Sequence, residues 1–457
     1  MGDDLGDQLA RRLGEVTGSD VRVDGLRRLT AGASRETWSF TATDPTTDPA
    51  TAPSGPRALV LRRDPPGDDR PEGMALEAAS LAAAAAAGVP VPPLVDSGGD
   101  PAVVGAPYLV TEHVDGETIG PRILREERFA AAREGLAAEL GRTLARIHAV
   151  PLDAVPGLPA GDPVEDLRAT YDALDEPLPT VEIALRRLDR HRPDPVPDAL
   201  VHGDFRLGNL IVDESGLAAV LDWEQVHRGD PREDLGWLCV KCWRFGSPLP
   251  VAGLGTIDEL LDGYAEVAGV RPDPGAVRWW QVHRTTWWAL GCRRMAGRHL
   301  AGETPSVELA AIGRRVAEQE HDLLLLLGLP AGPGPEVPAA PRSDLQGRPG
   351  AGDLVEAVAG FLRDEVMAAG DERLAFLGRV AANVLDGVAR ELALGPELER
   401  RHRERLAALG FADQAGLAAA IRRGAVDDTD PEVLAAVRAA VTDKLAVANP
   451  RYLFRPG

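Results

Sequence analysis

The segment Leu200–Glu224 reads LVHGDFRLGNLIVDESGLAAVLDWE, and the rest of the chain is arranged around it. Two short apolar runs, Leu210-Ile211-Val212 and Leu217 to Leu221, flank the turn Asp213-Glu214-Ser215-Gly216. Apolar runs split by a Gly-containing turn predict a β-hairpin. Asp204 and Asn209 precede the first strand and Asp222 follows the second. A hairpin brings its two ends together, so these three side chains are expected at one place.

Phosphoryl transfer needs such a set: a carboxylate to orient and deprotonate a hydroxyl, and oxygen ligands for Mg²⁺. Asp204 is the candidate catalytic base, and Asn209 and Asp222 are the candidate metal ligands. The Asp204-x-x-x-x-Asn209 spacing matches the catalytic loop of kinases. Alone, that spacing also describes an Asp/Asn-rich loop beside an ordinary hairpin. His202-Gly203-Asp204, Asn209 and a strand-end Asp222 taken together are far more specific.

With these motifs the chain resembles the aminoglycoside phosphotransferase and choline kinase-like family, which has a protein-kinase-like fold. The likeness rests on His202-Gly203-Asp204, Asn209, Leu221-Asp222-Trp223-Glu224, Gly229-Asp230-Pro231 and Asp234-Leu235-Gly236. More narrowly, it is similar to the branch found fused to some acyl-CoA dehydrogenases. It covers roughly residues 20–330. It implies an α+β, bilobal fold with a small β-rich N-lobe and a mainly helical C-lobe, to which a C-terminal all-α domain is added here.

The resemblance also places a nucleotide site. Leu29 to Phe40 would be the strand-turn-strand over the phosphates, with Gly32 and Ser34 in its turn; read alone, it is a hairpin turn with a single glycine. Only Lys241 and Lys444 are lysines, so no lysine precedes residue 241 to reach the phosphates. In the strand Arg57–Arg63 the resemblance puts Arg62 in that role, and a guanidinium binds phosphate in a forked geometry. Strand alternation sends Arg62 and Arg63 to opposite faces. Glu77, on a helix over Pro71 to Ala87, would pair with Arg62; otherwise it is a solvated helix carboxylate. The adenine would lie against the backbone from Glu112 to Val114. ATP and Mg²⁺ are the implied cofactors.

Composition narrows the function classes. The chain has 457 residues, 44% hydrophobic and 26% charged, with net charge -21. Such a charge argues against nucleic acid as a partner. No run reaches membrane-spanning length, and the acidic N-terminus lacks signal-peptide character, so a cytoplasmic location is expected. The cysteines are Cys239, Cys242 and Cys292. This is no disulfide framework. The lone C-x-x-C lies in the apolar stretch Leu235 to Phe245, which is expected to be helical, and reads as core.

Elsewhere, residues 41–57 form a Thr/Pro/Asp-rich insert. Periodicity predicts helices over Phe129 to His148, Pro163 to Leu174, Val181 to Leu188, Val277 to Leu300 and Pro305 to Leu327. His148, Asp230 and Asp234 are expected to brace the catalytic loop. Trp279, Trp280, Trp287 and Trp288 are either core or an aromatic wall of the acceptor pocket. The expected division is 1–113 N-lobe, 114–329 C-lobe, 330–350 Pro/Gly-rich linker and 351–457 helical domain. The last would comprise Asp353 to Met367, Arg373 to Leu392, Pro396 to Leu409, Leu417 to Arg423 and Pro431 to Ala446. It offers a surface for a protein partner or self-association. The reading is an ATP- and Mg²⁺-dependent phosphotransferase acting on a hydroxyl of a small molecule. The alternative is a nucleotide-binding pseudokinase or adaptor without catalysis. Trp223-Glu224 in place of Phe-Gly, with no A-P-E segment, favours a small acceptor over a protein.

Overall fold

The computed structural model describes residues 2–29, 35–44, 55–330, 332, 334, 336, 348–369 and 372–454. Gly32 and Ser34 lie outside the described residues. The N-terminal lobe is a five-stranded antiparallel sheet, β1 (Arg22–Leu29), β2 (Glu36–Thr43), β3 (Arg57–Arg63), β4 (Leu94–Gly98) and β5 (Tyr108–Glu112), in the order β1-β2-β3-β5-β4. Alternation on β3 turns Leu59 and Leu61 into the core. There they meet Leu5, Leu9 and Leu13, spaced four apart on the helix Gly2–Thr17. Arg12 of this helix grips Asp96 of β4 with Nε and Nη2 at 2.8 and 2.9 Å.

The C-terminal lobe is helical, with two small ribbons at its cleft face. They are built from β6 (Ala199–Val201), β7 (Leu210–Val212), β8 (Leu217–Val220) and β9 (His227–Gly229). β6 pairs with β9, and β7 pairs with β8. The expected hairpin is therefore present. Its turn is closed by Asp213, whose Oδ1 accepts from the Ser215 and Gly216 amides.

Several helix boundaries differ from expectation. Phe129 to His148 is not one helix: Gly135 takes φ +80° and a new helix, Leu136–His148, starts after it. Pro305 to Leu327 divides into Val307–Arg314 and Val316–Leu326. Leu235 to Phe245 is the end of the helix Arg232–Leu238 followed by the 3-10 turn Lys241–Arg244. In the tail, Ala351–Phe361 runs into a π turn at Leu362–Val366. Two expected helices are a single one, Glu372–Ala408, with Pro396 inside it. Proline removes one hydrogen bond and costs about 3 kcal/mol there, but burial of Leu398 and Leu406 in the turns after it favours continuation. The tail also shares a core with the lobe, where Leu417, Ile421 and Leu445 pack with Ile183, Ala317 and Leu324. Among the described residues no helix is long and apolar enough to cross a membrane.

One pair of helices in the large lobe packs backbone to backbone. Leu136–His148 meets Ile257–Ala268 at two glycines. A Cβ on Gly141 would lie 2.1 Å from Leu260 O, and one on Gly263 would lie 2.2 Å from Ala138 O. Both obstacles are backbone, so neither can yield cheaply. This closeness lets Tyr264 reach His148, its hydroxyl 3.0 Å from Nδ1. Gly263→Ala is expected to lower stability by about 1–3 kcal/mol through overpacking, read as a fall in the urea midpoint at unchanged slope.

Candidate active site

Asp204 is seven per cent exposed and sits between β6 and β7. Three donors converge on its carboxylate: Trp237 Nε1 (2.8 Å) and Arg206 Nε (3.1 Å) on Oδ1, and Asn209 Nδ2 (2.6 Å) on Oδ2. Charged and neutral donors at these distances fix the carboxylate in one orientation. Asn209 Nδ2 also donates to the Asp204 carbonyl at 3.0 Å. With its amide nitrogen so used, Asn209 keeps its Oδ1 as the acceptor end of the side chain.

The loop carrying Asp204 hangs on a buried carboxylate. Asp234, near the start of the helix Arg232–Leu238, accepts the His202 and Gly203 amides at 2.8 and 2.9 Å. Behind it, His148 Nε2 lies 3.1 Å from Asp234 Oδ2. Burial alone would raise the Asp234 pKa, but His148 and the loop amides more than offset this and hold it below the usual range. His148 and Asp234 thus brace the loop, as expected. Asp230 instead clamps Arg232, which donates to it from Nε and Nη2. Gly203 has φ +79°, and a Cβ there would lie 2.4 Å from Gln225 O. Only glycine fits.

His202 ties this loop to Asp222. Its Nδ1 accepts the Asp204 amide (3.2 Å), so the ring proton is on Nε2, which donates to Leu221 O (3.1 Å). Burial lowers its pKa and keeps it neutral. Asp222 follows Leu221 in the left-handed region at φ 67°, a conformation Asp tolerates better than most residues.

The two lobes meet through Arg62. Its Nη1 donates to Glu77 Oε1 (2.5 Å) and its Nη2 to Asp222 Oδ1 (3.0 Å). Burial would raise the Asp222 pKa, yet Arg62 overrides it and holds that carboxylate below its ordinary value. Glu77 is buried, not solvated. It also pairs with Arg35, whose Nε donates to buried Asp64 at 3.1 Å. Arg63 points to the other face, donating to Glu36 and to Val104 O. Glu112 ends β5 with its side chain on Arg57 (2.8 Å), and Val114 follows two residues later, half-buried at the lobe connection.

Three partners of the site carried no sequence signal: Trp237, Arg206 and Arg35. Trp237 lies in an apolar helix that any core reading explains. Arg206 donates to Asp204 while stacked 4.6 Å over Trp243, and neither contact is marked by a sequence pattern. The tryptophans divide: Trp279 is core, donating to Leu188 O, whereas Trp287 stands against Trp237 at 5.6 Å. Arg284 lies between these two rings and donates to Gly203 O (2.5 Å) and Glu233 (2.9 Å). The cysteines are buried and unpaired. Burial pushes the Cys239 and Cys292 thiols up to about 12. Among the described residues no group of three or more His, Cys, Asp or Glu is arranged to hold a metal.

Residues 25–280 match the profile of the Phosphotransferase enzyme family. The chain belongs to that family. Residues 368–452 match a second profile, a domain of unknown function (DUF6285). Mouse acyl-CoA dehydrogenase family member 10 is 31% identical over 240 residues, which is 47% of this chain and 22% of that protein. Human acyl-CoA dehydrogenase family member 11 is 28% identical over 241 residues, 47% of this chain and 30% of that protein. The match thus spans less than a third of either relative's length. A crystal structure of a candidate aminoglycoside phosphotransferase from Ralstonia eutropha superposes with a TM-score of 0.54 at 20% identity, over 70% of this chain and 98% of that one. The fold is the bilobal, kinase-like one of this family.

One electrostatic consequence is measurable. Burial would lower the His227 pKa, but Glu233, 3.2 Å from Nε2, overrides it and raises the ring to about 9. A raised folded-state pKa gives stability that is fully present below the unfolded value of about 6.5 and is lost as pH rises through about 9. The expected loss is roughly 1–3 kcal/mol. Urea midpoints between pH 6 and pH 10 should fall for the native chain and change much less for His227→Gln.

Proposed function

We propose that this protein transfers the γ-phosphoryl group of ATP to a hydroxyl of a small molecule, with Mg²⁺ at the cleft. The observation that supports this reading best is Arg62. One guanidinium reaches Glu77 from the helix of the small lobe and Asp222 from the hairpin of the large one. This gives the cleft a fixed cation where lysine is missing, beside the carboxylate that would hold the metal.

The roles follow from the geometry. Asp204, oriented by Trp237, Arg206 and Asn209, accepts the acceptor's hydroxyl proton. Asn209 Oδ1 and the Asp222 carboxylate fit Mg²⁺, which takes one or two protein oxygens and completes its shell with phosphates and water. When bound, Mg²⁺ supplies charge neutralisation for the phosphates. Arg62 steadies the phosphates, and Glu77 holds Arg62 in place. The backbone from Glu112 to Val114 receives the base. Acceleration then comes from positioning and electrostatics.

An ATP-consumption screen against aminoglycosides, choline-like amines, sugars and hydroxyacyl-CoA compounds tests the reading. The last class is included because the curated relatives are named as acyl-CoA dehydrogenase family members. Asp204→Asn is expected to lower turnover by about 10²–10⁴-fold while MgATP still binds by calorimetry. Equal turnover in native and Asp204→Asn chains would refute the assignment. Arg62→Lys preserves charge but cannot span two carboxylates with a planar fork. It should raise the KM for MgATP several-fold and leave acceptor KM nearly unchanged.

A further inference from the structure

The tail reaches the catalytic aspartate through a short series of contacts. Trp237 and Arg206 both touch Asp204 Oδ1, and both rest on Trp243. Trp237 meets it edge-on at 5.1 Å between ring centroids, and the Arg206 guanidinium lies 4.6 Å over it. Trp243 belongs to the 3-10 turn Lys241–Arg244. Unlike a helix, such a short turn has little hydrogen bonding of its own to define its position. Its Lys241 meets Tyr452 of the last described turn, Pro450–Phe454.

Tyr452 is the contact. It is three per cent exposed and donates its hydroxyl to Asp322 Oδ2 at 2.6 Å. Lys241 Nζ lies 4.7 Å over the Tyr452 ring and 3.4 Å from Asp322 Oδ1. Asp322 sits on the helix Val316–Leu326, so Tyr452 joins three segments: tail, helix and turn. Tyr452 and the turn residues Lys241, Cys242 and Arg244 line one small cavity of about 30 Å³. Burial pushes the Asp322 carboxyl up to about 6. The tyrosine hydroxyl is therefore a donor that this carboxylate can ill spare.

We propose that the C-terminal turn is a working part of the active site, with Tyr452 as a positioning residue. By fixing the Lys241–Arg244 turn, it sets Trp243, and through it Trp237 and Arg206, against Asp204. This rests on the reading of Asp204 as catalytic. It assigns the tail a role on the acceptor side of the cleft, apart from the Arg62–Glu77 side where the nucleotide phosphates would lie.

Tyr452→Phe keeps the ring and removes only the hydroxyl. Asp428→Asn serves as a control. Asp428 is a buried tail carboxylate paired with Arg186 and Arg190 on the helix Pro179–Arg190, away from the Lys241–Arg244 turn. The full chain is labelled with 5-fluorotryptophan, and the ¹⁹F resonances of Trp237 and Trp243 are identified by Trp→Phe substitutions. Turnover of MgATP with water as acceptor is measured alongside. Tyr452→Phe should shift or broaden both resonances and cut turnover about tenfold, with the MgATP KM within about twofold of native, since a displacement well under about 1 Å has effects of this size. Asp428→Asn should move neither resonance. Unchanged resonances in Tyr452→Phe, or equal effects of the two variants, would overturn the proposal. If the native chain binds MgATP but turns over neither water nor any screened acceptor, the phosphotransfer reading falls, and the resonances alone then decide whether Tyr452 sets the tryptophans.

Discussion

The candidate site depends on one buried carboxylate behind the loop. Asp234 is fully buried and accepts two successive amides of the loop that presents Asp204. A buried carboxylate without donors would be costly. Here every neighbour supplies one, and satisfying Asp234 and shaping the loop are the same event. The dependence runs further back. His148 can support Asp234 only because Tyr264 holds its other nitrogen, and Tyr264 is near enough only because Gly141 and Gly263 let two helix backbones touch. A packing requirement far from the cleft thus helps to fix the position of the loop that carries Asp204.

A second constraint concerns how the cleft halves are joined. Of the chain's lysines and arginines, all but two are arginine. Lysine would supply a compact, strongly hydrated charge, whereas guanidinium has a planar face with several donors. The structure uses that difference repeatedly. Arg62 spans Glu77 and Asp222, Arg35 spans Glu77 and Asp64, and Arg284 reaches Glu233 and Gly203 O while lying between two indole rings. In a chain of net charge -21, such shared arginines let acidic groups approach one another in the cleft without mutual repulsion deciding the geometry.

How much of this was legible in the sequence depends on where each signal resides. The hairpin and its end residues were readable because turn chemistry and alternation are local. That Arg62 and Arg63 face opposite ways followed from β3 alternation, and the family resemblance chose between them. Helix ends were less legible. Gly135 breaks a periodic run by taking a positive φ that glycine allows, whereas Pro396 fails to break one because burial in the turns after it outweighs local preference. Trp237, Arg206 and Arg35 were not legible as site residues. Their roles depend on contacts between segments 29 to 33 residues apart, or on stacking, neither of which leaves a spacing pattern.

The tail is the case in which locality fails most completely. Its composition offers helices, a buried stripe and no chemistry, so a sequence reading makes it an appendage. In the fold its core is continuous with that of the lobe, through Ile183, Ala317 and Leu324. An appendage joined by a flexible linker alone would leave the Lys241–Arg244 turn facing water. Solvent there would compete with Tyr452 for Asp322. With Tyr452 in place, a short turn with few hydrogen bonds of its own acquires a fixed position, and the aromatic group beside Asp204 acquires one with it. The physical reason to keep such a tail attached is therefore the same as for Asp234: a reacting carboxylate is only as well placed as the least constrained segment touching it.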